Sequence, residues 1–185
     1  MSQRSIYLVF SRTGTWLSKL ISVFTEGKYV HSSISLDCTF TKMYSFGRTN
    51  PDNPFSGGFV EENLYDGVYK KFSRSECAIC RLEVTEEQYH ILEDEINKFL
   101  IEQYKYKYSL LGLFGVLINK PVERENYYFC SQFVSELLIK TNIYNVKKAP
   151  ALIRPEDLFS IENKEIIYEG FIAESVDLSE VYSFN

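Results

Sequence analysis

The apolar residues of this chain fall into runs of different period, and each period predicts an element. Residues 6–10 are continuously apolar, β-branched or aromatic, which predicts a buried strand. Trp16, Leu17, Leu20, Ile21 and Phe24 recur at helical spacing, with Gly27 as a stop. Residues 29–36 alternate: Val30, Ser32, Ile34 and Leu36 share one face, and Tyr29, His31, Ser33 and Ser35 share the other. Residues 39–46 predict the return strand of a hairpin. Residues 47–66, with Asn50-Pro51-Asp52-Asn53-Pro54 and Gly57-Gly58, read as a long loop of the kind that borders active sites. One or two strands are expected over 69–84, most clearly over 78–84. Thr85 and Gln88 form a capping-box pattern that opens a helix to about residue 103, with Tyr89, Leu92, Ile96, Phe99 and Leu100 on its buried side. Residues 104–118, aromatic and broken by glycines, predict a short helix packed under the functional site, and 121–126 a polar connection. An amphipathic helix follows over about 130–140, Pro155 starts a short helix, and 165–170 predict a last strand.

No linker, repeat or low-complexity segment interrupts this order, so residues 1–185 read as a single domain. Hydrophobic residues make up 45%, enough for a sizeable core, and the 16% aromatic share points to a thick core or an aromatic-lined cleft. With a formal net charge of −5 and no basic run, the chain lacks the electrostatic footprint of a nucleic-acid binder. The run at residues 6–10 is too short for a signal peptide. The longest apolar run, 110–118, is broken by Gly112 and Gly115 and falls far short of the ~20 residues of a membrane span. The expectation is a soluble, cytoplasmic protein with no integral membrane segment. Cys38, Cys77, Cys80 and Cys130 make no disulfide framework in a chain this long.

The chemistry centres on Cys130. It stands where an amphipathic helix begins, and a helix N-terminus carries unpaired N–H groups and about half a positive charge, both of which favour thiolate. A buried cysteine packing a helix end is the bland alternative. His31 is the matching base, on a strand face otherwise made of Tyr29, Ser33 and Ser35, more like a cleft than a core. His90, the other histidine, sits on a charged helix and reads as exposed. Histidine bases need a third group to fix the ring. A tight turn at Asp37-Cys38 sets His31 opposite Tyr44, and a longer one moves the partner toward Ser45, Phe46 or Gly47; of these only Tyr44 and Ser45 could orient an imidazole. Glu61 and Glu62 could reach in from the loop, although no pattern in the sequence brings them there. Cys77-Ala78-Ile79-Cys80 is a rival redox motif, but it runs into a strand pattern, where positions three apart face opposite ways.

Tyr29-Val30-His31-Ser32-Ser33-Ile34 and Phe129-Cys130-Ser131-Gln132-Phe133-Val134, in that order, resemble the circularly permuted NlpC/P60 cysteine hydrolases of the papain-like superfamily, closest to the YiiX/YebB-like branch. Weaker marks are Tyr106-Lys107-Tyr108-Ser109-Leu110-Leu111-Gly112 and Arg154-Pro155-Glu156-Asp157-Leu158, so the likeness spans roughly residues 6–170. Ordinary papain-like chains place the cysteine helix before the histidine strand. The resemblance implies an α+β fold: a small antiparallel sheet or partial barrel with the cysteine helix packed against it. It implies Cys130 as nucleophile, His31 as base, and a polar third residue on the strand after the histidine, nearest Ser45. No cofactor and no metal are implied. The expected substrate is a small-molecule, peptide or lipid-like amide or ester, and the aromatic segment 104–114 leans toward an apolar one. A binding module on the same fold, with Ser45 too weak an orienter for catalysis, is the competing expectation. Oligomeric state has no signature here.

Overall fold

The computed structural model describes residues 3–13, 27–49, 56–72 and 74–174. The helix expected around Trp16 to Phe24 lies outside the described residues, as does the middle of the expected 47–66 loop.

Six strands form one sheet, in the order β4-β3-β2-β1-β5-β8, antiparallel throughout. They are β1 (Gln3–Arg12), β2 (His31–Ser35), β3 (Met43–Arg48), β4 (Gly57–Glu62), β5 (Glu76–Thr85) and β8 (Lys164–Phe171). β1 is unalternating in sequence because both of its faces are covered. Ile6, Leu8 and Phe10 enter the larger core, while Tyr7 and Val9 enter a smaller core on the opposite face. β5 divides in the same way, Ala78, Cys80, Leu82 and Val84 to one side and Cys77 and Ile79 to the other.

α1 (Gly67–Lys71) is short and places Tyr69, expected within a strand region, in the smaller core; the later helices cover the larger one. α2 (Glu86–Ile101) starts at the expected capping box: Gln88 N–H donates to Thr85 Oγ1 at 3.1 Å and Thr85 N–H to Gln88 Oε1 at 3.0 Å. α3 (Leu110–Leu117) follows a two-residue strand, β6 (Lys107–Tyr108), that pairs in parallel with β7 (Tyr127–Tyr128). α4 (Cys130–Lys140) lies across β2 and β3, and α5 (Pro155–Phe159) closes the helical layer. Buried Glu95 of α2 receives both Lys98 and, from α4, Lys140, each at 2.6 Å, which ties the two long helices together. Under α4, Phe133 meets Phe46, Phe59 and Phe99 with ring centroids 5.3, 5.5 and 5.0 Å apart. This aromatic cluster fixes the height of the cysteine helix above the sheet.

Two local expectations are corrected. Residues 57–62, expected as loop, form β4 at the sheet edge, in register Met43↔Glu62 to Arg48↔Gly57 with β3. The glycines that disguised the strand serve packing: a Cβ on Gly58 would stand 2.7 Å from the Tyr106 carbonyl oxygen, so the chain before β6 can cross β4 only over a bare backbone. The β2–β3 turn is also longer than Asp37-Cys38. Asp37 Oδ1 accepts from Thr39 N–H at 2.8 Å, Phe40 takes φ 54°, and the register is Ile34↔Tyr44.

Candidate active site

Phe129, the residue before Cys130, decides what the start of α4 can do. It is the N-cap, its backbone is extended, and its side chain cannot accept a hydrogen bond. A Ser, Thr, Asp or Asn there would occupy the first-turn N–H groups. With phenylalanine they stay open, and no acid in the first turn cancels the helix dipole. Ser131 N–H points at the Cys130 sulfur, joined by Ser32 N–H from β2. The strand can lend that N–H because β2 and β3 pair only at Ile34 and Tyr44 and part toward the His31 end.

His31 is the other partner of the sulfur. Its Nε2 lies 3.1 and 3.2 Å from the two oxygens of Glu62, which leaves Nδ1 for Cys130. Glu62 is held in turn by Ser33, which donates to its Oε2 at 2.6 Å, and by Tyr69, which donates at 3.4 Å. Tyr69 then accepts from Ser11 at 3.2 Å. The side chains of His31 and Glu62 keep 20% and 18% of their surface open, so the row is sheltered without being sealed.

The charges follow from this arrangement. Burial favours the neutral thiol of Cys130, but the bond to His31, its charge and the two backbone N–H groups outweigh burial and set the pKa below the ordinary thiol value. Burial likewise disfavours the imidazolium, yet the Glu62 charge and the bonds to Cys130 and Glu62 hold His31 well above its usual value. Burial raises Glu62, while His31, with help from Ser33 and Ser45, brings it below the ordinary carboxylate value. An ionised Glu62 can only accept, so Nε2 carries the proton. The group favours a thiolate–imidazolium pair backed by a carboxylate. Tyr108 is pushed well above its ordinary value by burial and then by the charge of Cys130.

Cys130 and His31, predicted from sequence, are thus brought together, whereas Ser45 is not at the ring. Ser45 is fully buried on the same face of the sheet as Glu62 but makes no hydrogen bond of good geometry, and its influence on Glu62 is the smallest of those acting there. Tyr44 faces the larger core, stacked at 6.3 Å on Phe59. The position beside His31 Nε2 belongs to Glu62, which reaches it from β4. Continuing the Ile34↔Tyr44 register sets His31 across from Gly47, where a Cβ would stand 3.1 Å from Glu62 Oε1 and 3.7 Å from His31 Cε1. A bare backbone there lets the carboxylate cross β3. The two glutamates considered at the sequence level were inseparable without the register of β4.

Cys77 and Cys80 face opposite cores, and burial pushes their thiols up to about 12 and about 11, so this C-x-x-C cannot bring its sulfurs together as a redox pair. His90 is exposed, as expected, with 60% of its side-chain surface open.

No protein-family model matches the chain, and no curated protein matches it. Among solved structures it is similar to the metalloprotein YiiX from Escherichia coli O157:H7. The match has a TM-score of 0.58 at 14% sequence identity and covers 91% of this chain and 98% of that one. The likeness is one of fold. No helix among the described residues is long and apolar enough to cross a membrane.

Proposed function

We propose that the protein is a cysteine-dependent acyl-transfer enzyme, a hydrolase of the permuted NlpC/P60 papain-like kind, acting on an amide or ester. The observation that carries this reading is the row Cys130–His31–Glu62, in which one imidazole stands between a thiol at an uncapped helix start and a partly buried, ionised carboxylate. The Cys130 thiolate attacks the substrate carbonyl and forms a carbon–sulfur bond. The resulting oxyanion is met by first-turn N–H groups of α4. The amine or alcohol leaves with the proton held by His31, and the acyl group stays on Cys130. A water then gives its proton to His31 and attacks the thioester, which releases the acid and restores the thiolate. Glu62 keeps the ring oriented throughout and stays ionised. A peptide amide and a lipid-like acyl group both fit this chemistry.

YiiX is described as a metalloprotein. Here Glu62 holds His31 by a hydrogen bond at Nε2, an arrangement that orients the ring rather than sharing an ion with it. Among the described residues no group of three or more His, Cys, Asp or Glu side chains is placed to hold an ion. The reaction above uses only the chain's own groups.

The test is alkylation with iodoacetamide near neutral pH, followed by peptide mapping. Cys130 is expected to label far faster than Cys38, Cys77 and Cys80, and His31→Ala is expected to abolish that advantage. Slow, even labelling of all four thiols would sink the proposal.

A further inference from the structure

Large apolar side chains exposed on this protein are not scattered. Among the described residues nine are exposed, and six of them lie between Ile101 and Ile118. Four belong to α3 or to the residue that caps its end: Leu110, Leu111, Phe114 and Ile118, with 43, 55, 60 and 66% of their surface open. Their helical spacing puts them on one side, while Gly112, Gly115 and Val116 are buried on the other. α3 itself, Leu-Leu-Gly-Leu-Phe-Gly-Val-Leu, carries no charged side chain. A helix with such a face normally turns it inward, and exposed patches of this kind mark interaction sites.

We propose that α3 is a membrane-docking helix, which seats the protein on an anionic lipid surface and brings the mouth of the Cys130 site to the interface. Its eight residues are too few to span a bilayer, which takes ~20, so the helix would lie along the surface. The charges at its ends fit that surface. Lys107 precedes α3, Lys120 follows it, both are exposed, and neither forms an ion pair among the described residues. Long lysines flanking an apolar face can reach anionic headgroups while the face enters the acyl region. Exposed Arg124, stacked 3.8 Å over the Tyr127 ring, adds a third cation. Of the nearby acids, Glu102 is paired with Lys105, while exposed Glu123 and Glu125 flank Arg124 in the sequence and leave Lys107 and Lys120 as the cations nearest the ends of the helix. Docking would also be coupled in position to the site. Ser109, the N-cap of α3, donates its N–H to the Tyr128 carbonyl at 2.8 Å, two residues ahead of Cys130, and Gly112 lies against the ring of Phe129, where a Cβ would stand 3.0 Å from Cδ1.

The experiment is co-sedimentation of the full chain with vesicles of phosphatidylcholine mixed with an equal part of phosphatidylglycerol, or of phosphatidylcholine alone. The chain is expected to pellet with the mixed vesicles and several-fold less with the neutral ones. Leu111→Glu with Phe114→Glu should weaken partitioning by on the order of tenfold or more, since each places a charge where apolar area is to be buried. Lys107→Gln with Lys120→Gln should remove the preference for anionic vesicles but leave residual binding. Both pairs are surface changes, so far-UV circular dichroism and the Cys130 alkylation rate in buffer should stay at the wild-type level. The proposal is overturned if wild type and the Leu111/Phe114 variant pellet equally. It is also overturned if analytical ultracentrifugation shows a wild-type dimer that this variant splits, because the face then belongs to a second copy. Failure of selective Cys130 alkylation would leave the docking result intact, so the two proposals fail separately.

Discussion

The Nε2–H of His31 is shared between two oxygens of one carboxylate, and through the ring that carboxylate governs a sulfur it does not touch. Glu62→Gln keeps the shape and a hydrogen-bond acceptor but removes the charge. The imidazolium then loses its largest favourable partner, and His31 falls back toward its ordinary value. A weaker imidazolium favours thiolate less, so the Cys130 pKa must rise. The sign is therefore fixed: the inflection at which alkylation accelerates should move to higher pH. Hydrogen bonds to charged groups contribute about 1.5–3 kcal/mol, and a unit of pKa is about 1.4 kcal/mol. An indirect, partly exposed arrangement should pass on about one unit of that. Ser45→Ala, which removes only the smallest influence on Glu62, should leave the inflection nearly in place. The rate of iodoacetamide alkylation from pH 5 to 10 measures both, and an unmoved inflection in Glu62→Gln would remove Glu62 from the site.

At the scale of elements, two substitutions separate what holds the fold from what holds the site. Thr85→Ala removes the N-cap of α2 and should cost about 1 kcal/mol of stability, with the Cys130 alkylation rate unchanged because α2 places no side chain in the row and its contacts to α4, Glu95 and Phe99, lie toward its other end. Phe133→Ala empties the ring cluster beneath α4 and should cost about 3–5 kcal/mol. It should also slow alkylation, because the helix start that aims Ser131 N–H at the sulfur loses its seat. Urea midpoints and alkylation rates of the two variants give both answers, and slowed alkylation in Thr85→Ala would contradict the separation. The same contrast explains how much could be read in advance. α2, α4 and α5 were legible because caps and helical period are local, and β1 because a strand covered on both faces is continuously apolar. β4 was not, since its glycines answer to a chain segment almost fifty residues later, and no local pattern records that crossing. Cys130 and His31 could be named because each is distinctive within its own element. Glu62 could not be chosen over Ser45, because that depends on how three strands align and on the bare backbone at Gly47.

At the scale of the whole molecule, the site is divided between layers: His31 and Glu62 belong to the sheet and Cys130 to the helices. Its geometry therefore depends on the two layers moving as one unit. The buried cysteines of β5 can report whether they do. Cys77 lies in the smaller core and Cys80 in the larger, both fully buried, with thiols pushed up to about 12 and about 11. Neither can react until β5, paired along its length with β1 and over much of it with β8, is exposed. If residues 1–185 are one cooperative domain, the smaller core cannot open without the larger. Cys77 and Cys80 should then label at the same rate in sub-denaturing urea, and that rate should follow the global unfolding free energy. Cys130, reacting from the native state, should be fast and insensitive to urea until the main transition. Cys77 labelling well ahead of Cys80 would mean that the smaller core opens on its own. The face that carries His31 and Glu62 would then be free to move against α4, and the thiolate–imidazolium pair would form only part of the time.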